Sequence, residues 1–191
     1  MKKRIVITVI MSILLLSTSV KAYVPPGVTG HTIYAGYVPQ QYSNWCWAAS
    51  AQNAAKVEYP SSTRTQSEIV THVKGSAVND YAWFHSETKQ AAEYACYNTK
   101  SFTVVHDALY YSVLKDIIYN GHPIIAFLSA GLLQAGHYVL FMGWGITESN
   151  VCLVYFYDPG NGGSYEYENY YGLCSGSYYS MPYNCSIYYG G

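Results

Sequence analysis

Charge is scarce in this chain. Only 11 % of its 191 residues are Asp, Glu, Lys or Arg, and 10 of them are basic. Four of those ten, Lys2, Lys3, Arg4 and Lys21, lie in the first 22 residues. The six that remain, against 11 acidic residues further along, are too dispersed to neutralise a run of phosphates. A nucleic-acid partner is therefore not expected. The chain also lacks a CxxC pair, an HExxH helix, an EF-hand loop and a glycine-rich phosphate loop, so neither a metal nor a nucleotide cofactor is expected. His31, His72 and His85 are scattered along the sequence, with no spacing that suggests a shared metal. There is no internal repeat.

Long apolar runs are lacking too, with one exception. Ile5 to Leu16 is almost wholly apolar, follows the basic start, and leads to Val20-Lys21-Ala22, the small or neutral residues a signal peptidase reads. The run is shorter than the roughly 18 to 20 residues of a membrane-spanning helix. Residues 1–22 thus read as an export signal removed after Ala22. The mature chain would have 191 − 22 = 169 residues and a net charge of 6 − 11 = −5. A secreted or periplasmic protein, with no stable membrane insertion after signal removal, is the expectation. Its length suits one domain with a substantial core. The sequence says nothing of oligomeric state.

Five cysteines follow the leader: Cys46, Cys96, Cys152, Cys174 and Cys185. An oxidising destination favours disulfides, and an odd count leaves one thiol over. Cys174 with Cys185 and Cys96 with Cys152 is the simplest of the three pairings open to four cysteines, and it leaves Cys46 free. Tyrosine is abundant instead, at 23 residues, which suits half-buried strands and binding surfaces alike.

Residues 23–39 hold three of the seven prolines and read as an extended lead-in with turns. The Ala-rich stretch from Trp45 to Pro60 predicts a helix with Cys46 in its first turn. Shorter helices are predicted near 66–74 and 86–95. A longer one is expected over 105–119, where Asp107 would act at its N-terminus and Asn120-Gly121 would close it. Residues 123–128, 138–144 and 151–157 predict strands, and 165–167 and 187–189 add candidates. Helices first and antiparallel strands later give an α+β fold, with a cleft where the two parts meet.

A thiol in the first turn of a helix faces unpaired N–H groups and the positive end of the dipole, a setting suited to a nucleophile. His137 stands just before the predicted strand 138–144 and is a candidate base. Asp158 ends the next strand, and an antiparallel hairpin brings the start of the first strand beside the end of the second. Asp158 could then hold the far side of the His137 ring. Asp158-Pro159 is also a turn initiator. His122 is a rival base without so well placed an acid.

The blocks QQYSNWCWAAS, GHYVLFMGW and YDPGNGG resemble the papain-like cysteine proteases, most closely the bacterial AvrRpt2-type and C39-like peptidases. The likeness runs from Val38 onward and is specific at those three blocks. It implies a papain-like domain over 40–191. It also implies a nucleophile at Cys46, a base at His137, an orienting carboxylate at Asp158 where papain carries Asn, and a glutamine for the oxyanion at Gln40, with Gln41 as its rival. The implied activity is a secreted cysteine endopeptidase acting on protein or peptide substrates without a cofactor. Only the 17 residues of 23–39 separate leader from Gln40, so inhibition by a large propeptide is not indicated. The same groups could serve a transglutaminase, deamidase or amidase. A reading of another class is a Tyr-rich binding or adhesion module without turnover.

Overall fold

The helices pack on both faces of one antiparallel sheet. The computed structural model describes residues 24–129, 136–160 and 162–190, and among these it holds seven strands and five helices. The leader expected over 1–22 lies outside the described residues. The strands are β1 (Val28–Thr32), β2 (Phe102–Val105), β3 (Ile124–Leu128), β4 (His137–Thr147), β5 (Cys152–Asp158), β6 (Ser164–Asn169) and β7 (Tyr183–Tyr189). They lie in the order β2-β7-β3-β4-β5-β6, with β1 pairing the second half of β4. The helices are α1 (Cys46–Glu58), α2 (Gln66–Lys74), α3 (His85–Ala95), α4 (Tyr111–Tyr119) and α5 (Tyr170–Ser175). This is an α+β, papain-like fold. No helix among the described residues is long and apolar enough to cross a membrane.

Alternation along the strands builds two cores. Ile125, Tyr138, Leu140, Cys185 and Ile187 face α1, α2 and α3, where the alanines of α1 and α3 let the helices approach closely. Their neighbours Ile124, Ala126, Val139, Phe141 and Tyr183 face α4 and α5 on the other side. β4 is long enough to serve two partners: its first half pairs with β3 and, past a bulge at Met142, its second half pairs with β1. Gly143 lies at that change of partner, where a Cβ would come within 2.9 Å of the His31 carbonyl oxygen.

Helix ends follow local chemistry. Thr65 and Glu68 form a capping box at the start of α2, and Gly75, at φ 81°, ends it in the left-handed region. Glu87 accepts from the backbone N–H of Trp83 at the start of α3 and pairs with Lys74 at 2.8 Å.

Three expectations are corrected. The helix expected over 105–119 begins only at Tyr111: Phe102–Val105 is a strand on the edge of β7, since β-branched Val104 and Val105 pair with Ile187 and Ser186. The Asp107 carboxylate accepts from the N–H of Ala108 in a bend rather than capping that helix. All five cysteines are free. Cys96 and Cys185 belong to the core under α1–α3, whereas Cys152 and Cys174 pack against the other one. Each expected disulfide would therefore have to join residues packed against different cores, whereas a bridge needs Cβ atoms about 4 Å apart.

Candidate active site

Cys46 is the first residue of α1, a 13-residue helix, and so belongs to the turn at the positive end of its dipole. The turn before it is tied down by chain far away in sequence. The buried indoles of Trp45 and Trp47 donate to the carbonyls of Val78 (2.8 Å) and Asp80 (3.0 Å). Asn79 Oδ1 accepts from the Asn44 N–H at 3.0 Å, while the Asn44 side chain donates to the Asn79 carbonyl. The two tryptophans flanking the cysteine are thus struts that fix its backbone. Trp144 lies in the other core, on the face away from α1.

His137 opens β4 and Asp158 closes β5, and the antiparallel pairing of those strands brings both to one end of the sheet. Gly136, just before the histidine, runs against the Phe127 ring and the Leu128 carbonyl, where a side chain would collide. His137 Nε2 stands 2.6 Å from Asp158 Oδ1. A carboxylate only accepts, so Nε2 carries a proton toward Asp158 and Nδ1 is the ring nitrogen left for Cys46. Burial pulls the imidazole pKa down, but the hydrogen bonds and charges of Asp158 and Cys46 outweigh it and raise it to about 10. Burial likewise opposes ionisation of Asp158, yet hydrogen bonds from His137, the Gly160 N–H (2.7 Å) and the Tyr178 hydroxyl (2.8 Å) hold its carboxyl below the usual range.

Gln40 and Gln41 both line the cleft but are held differently. The Asn53 side chain brackets Val38, accepting from its N–H and donating to its carbonyl. Gln66 donates to the Pro39 carbonyl and accepts from the Gln41 N–H. The Gln40 N–H donates to the Pro159 carbonyl at 2.8 Å, which joins this segment to the Asp158 turn. Gln40 Nε2 donates to the carbonyls of Tyr42 (3.0 Å) and Ser43 (2.9 Å), within the turn that leads to Cys46.

The cleft beside these residues measures about 550 Å³, and its walls include Tyr42, Ser43, Tyr81, Gly160, Tyr179 and Met181. His122 is at the other end of α1, bonded to Glu58 through Nδ1 at 2.9 Å. Glu58 and Cys46 are separated by the length of the helix, about 18 Å at 1.5 Å per residue, so His122 does not meet the thiol.

Sequence reasoning missed several participants. Tyr178 holds the outer oxygen of Asp158, and Tyr179 stands edge-on to the His137 ring at 5.8 Å. Tyr179 and Ser180 have φ of 50° and 55°, the left-handed region, which non-glycine residues adopt at a cost of order 1–3 kcal/mol. Buried Ser50 of α1 donates to the carbonyl of Tyr138, locking the helix of Cys46 to the strand of His137. The tyrosines were visible only as compositional bias, and Ser50 gave no signal.

A family model described as the Peptidase_C39 like family matches residues 32–184. The chain belongs to that family. It is a cysteine-type peptidase, a hydrolase acting on protein or peptide substrates. No curated protein matches the chain. The family match takes in α1, the start of β4 and the end of β5, and hence every candidate residue of this peptidase named above.

Proposed function

We propose that this peptidase is an exported endopeptidase working through Cys46, His137 and Asp158. The single observation that carries the reading is the hydrogen-bonded chain from His137 through Asp158 to Tyr178, with the Cys46 thiol close enough to the same imidazole to raise its pKa. Cys46 Sγ gives its proton to His137 Nδ1 and attacks the scissile carbonyl. The imidazolium, oriented by Asp158, then protonates the departing amine, leaving a thioester on Sγ. Water, deprotonated by His137, attacks the thioester; the carboxylic acid leaves and the proton returns to sulfur. The backbone N–H of Cys46 and Gln40 Nε2 would receive the oxyanion, for which Nε2 exchanges one of its two turn carbonyls for the substrate oxygen. Gln41 is less suited: it is exposed, and its backbone is anchored away to Gln66.

The walls of the cleft carry no carboxylate or ammonium among the described residues. Exposed Tyr42, Tyr81 and Tyr179 favour recognition by shape and ring contact rather than by charge. The leader pattern of residues 1–22 supports export.

The test is mass-spectrometric labelling of the unreduced protein with iodoacetamide near neutral pH, followed by a peptide-library cleavage screen. Rapid modification confined to Cys46, lost in H137A, with internal cleavage of peptides abolished in C46A, is expected. Slow labelling indifferent to His137 overturns the mechanism. Ammonia release from glutamine without chain cleavage would make the enzyme a deamidase built on the same groups.

A further inference from the structure

A second cluster of metal-ligating side chains lies outside the cleft. Cys185 is in β7, beside Phe127 of β3. On its other flank, Val105 of β2 pairs with Ser186, so the next residue, His106, comes up alongside Cys185. His85, the first residue of α3, closes over the same spot. One ligand atom from each of His85, His106 and Cys185 lies within 4.8 Å of the others.

We propose that His85, His106 and Cys185 form a binding site for a borderline-to-soft divalent cation, zinc being the representative case. Two imidazoles and one thiolate suit zinc, which takes three protein ligands and keeps a fourth position for water. A tetrahedral zinc with ligand bonds of about 2.0–2.3 Å sets its ligand atoms roughly 3.2–3.8 Å apart, so the cluster has to close by about 1 Å. Exposed His106 can make that movement and also gives the ion its path in. The other two ligands are already oriented. His85 Nδ1 is hydrogen-bonded to the Tyr138 hydroxyl at 2.9 Å, and its ring packs edge-to-face with Phe127, centroids 4.8 Å apart, so Nε2 is the nitrogen left for the ion. Cys185 is 1 % exposed and pairs across to Phe127 within the sheet. On binding, its thiol proton passes to solvent and sulfur coordinates as the thiolate.

The ion would cross-link three elements, α3, the end of β2 and β7. His85 also ends the segment whose carbonyls at Val78 and Asp80 hold Trp45 and Trp47. A metal there would clamp the support of the Cys46 turn from behind without entering the cleft.

The experiment uses the full chain carrying Cys46→Ala, which removes the cleft thiol as a competing ligand. The metal-free protein is titrated with cobalt(II). One equivalent bound, with a thiolate-to-cobalt charge-transfer band that zinc abolishes, is expected. The band should vanish in C46A/C185S. Affinity should fall at least about tenfold in C46A/H106A, an exposed change that leaves the core intact, and zinc should raise the melting temperature of C46A but not of C46A/H106A. Absence of a charge-transfer band in C46A, its survival in C46A/C185S, or unchanged affinity in C46A/H106A would overturn the proposal. None of these readouts depends on peptidase activity.

Discussion

Two histidine–carboxylate pairs sit at opposite ends of α1 and differ little in themselves. His137 meets Asp158 at 2.6 Å near Cys46, and His122 meets Glu58 at 2.9 Å at the last residue of the helix. Both carboxylates are buried, with side chains only 2 % and 3 % exposed. What separates the pairs is what lies beyond the ring. His137 has the Cys46 thiol and an aromatic cleft beside it, whereas the ring of His122 meets that of Tyr189, edge-on at 5.2 Å. A base held by an acid is a common structural device. Chemistry requires that the free nitrogen face a nucleophile.

The largest expected difference between the pairs is kinetic. H137A should lower kcat/KM by about 10³-fold or more, and H122A should leave it within about twofold. Comparable losses in both variants would break the distinction. The carboxylates should separate next. D158N, which keeps the volume but weakens the hold on the imidazole, should reduce kcat roughly 10- to 100-fold, with E58Q unaffected in the same assay.

Stability should reverse the contrast. H122A strips Glu58 of its ring partner in the core and should cost about 1–3 kcal/mol in urea unfolding while activity persists. The pH dependence of the His137 pair has a definite sign. Its imidazole pKa is raised above the ordinary 6.5 to about 10, so the stability it contributes is complete below pH 6.5 and is lost as pH rises through about 10. Asp158 is shifted down from 3.8, so its contribution is present above that value and is lost as pH falls through the lowered one. The melting-temperature difference between wild type and H137A should therefore shrink between pH 6.5 and 10.

The smallest effect belongs to Tyr178. Y178F removes one of the hydrogen bonds that keep Asp158 ionised, and should lower kcat about two- to tenfold while moving the acid limb of the kcat/KM profile to higher pH. A lower rate with an unmoved acid limb would reduce Tyr178 to a packing residue.

The legible parts of the site are those written next to strong local punctuation. Pro60 after an alanine run marked α1, and Asp158-Pro159 and the short connection between the strands predicted over 138–144 and 151–157 marked the hairpin of β4 and β5. Residues on that framework could be paired by topology alone. Elsewhere local preference lost to tertiary pairing. Val105 reads as the start of a helix until β7 supplies a partner, and the short interval between Cys174 and Cys185 suggested a bridge until the sheet divides them. Trp45, Trp47 and Trp144 looked alike in sequence, yet two brace the Cys46 turn and the third packs on the opposite face.

The sequence alone determined the helix that begins at Cys46, the hairpin that unites His137 with Asp158, and the α+β class, because hydrophobic period, turn residues and strand order act over short stretches of chain. Only the tertiary structure decided what closes around them. Tyr178 reaches back across 20 residues to Asp158, Ser50 bonds across 88 to Tyr138, and His85, His106 and Cys185 meet although nothing in their spacing connects them. Such contacts depend on which faces the packed layers turn toward each other, and no local pattern of residues encodes that.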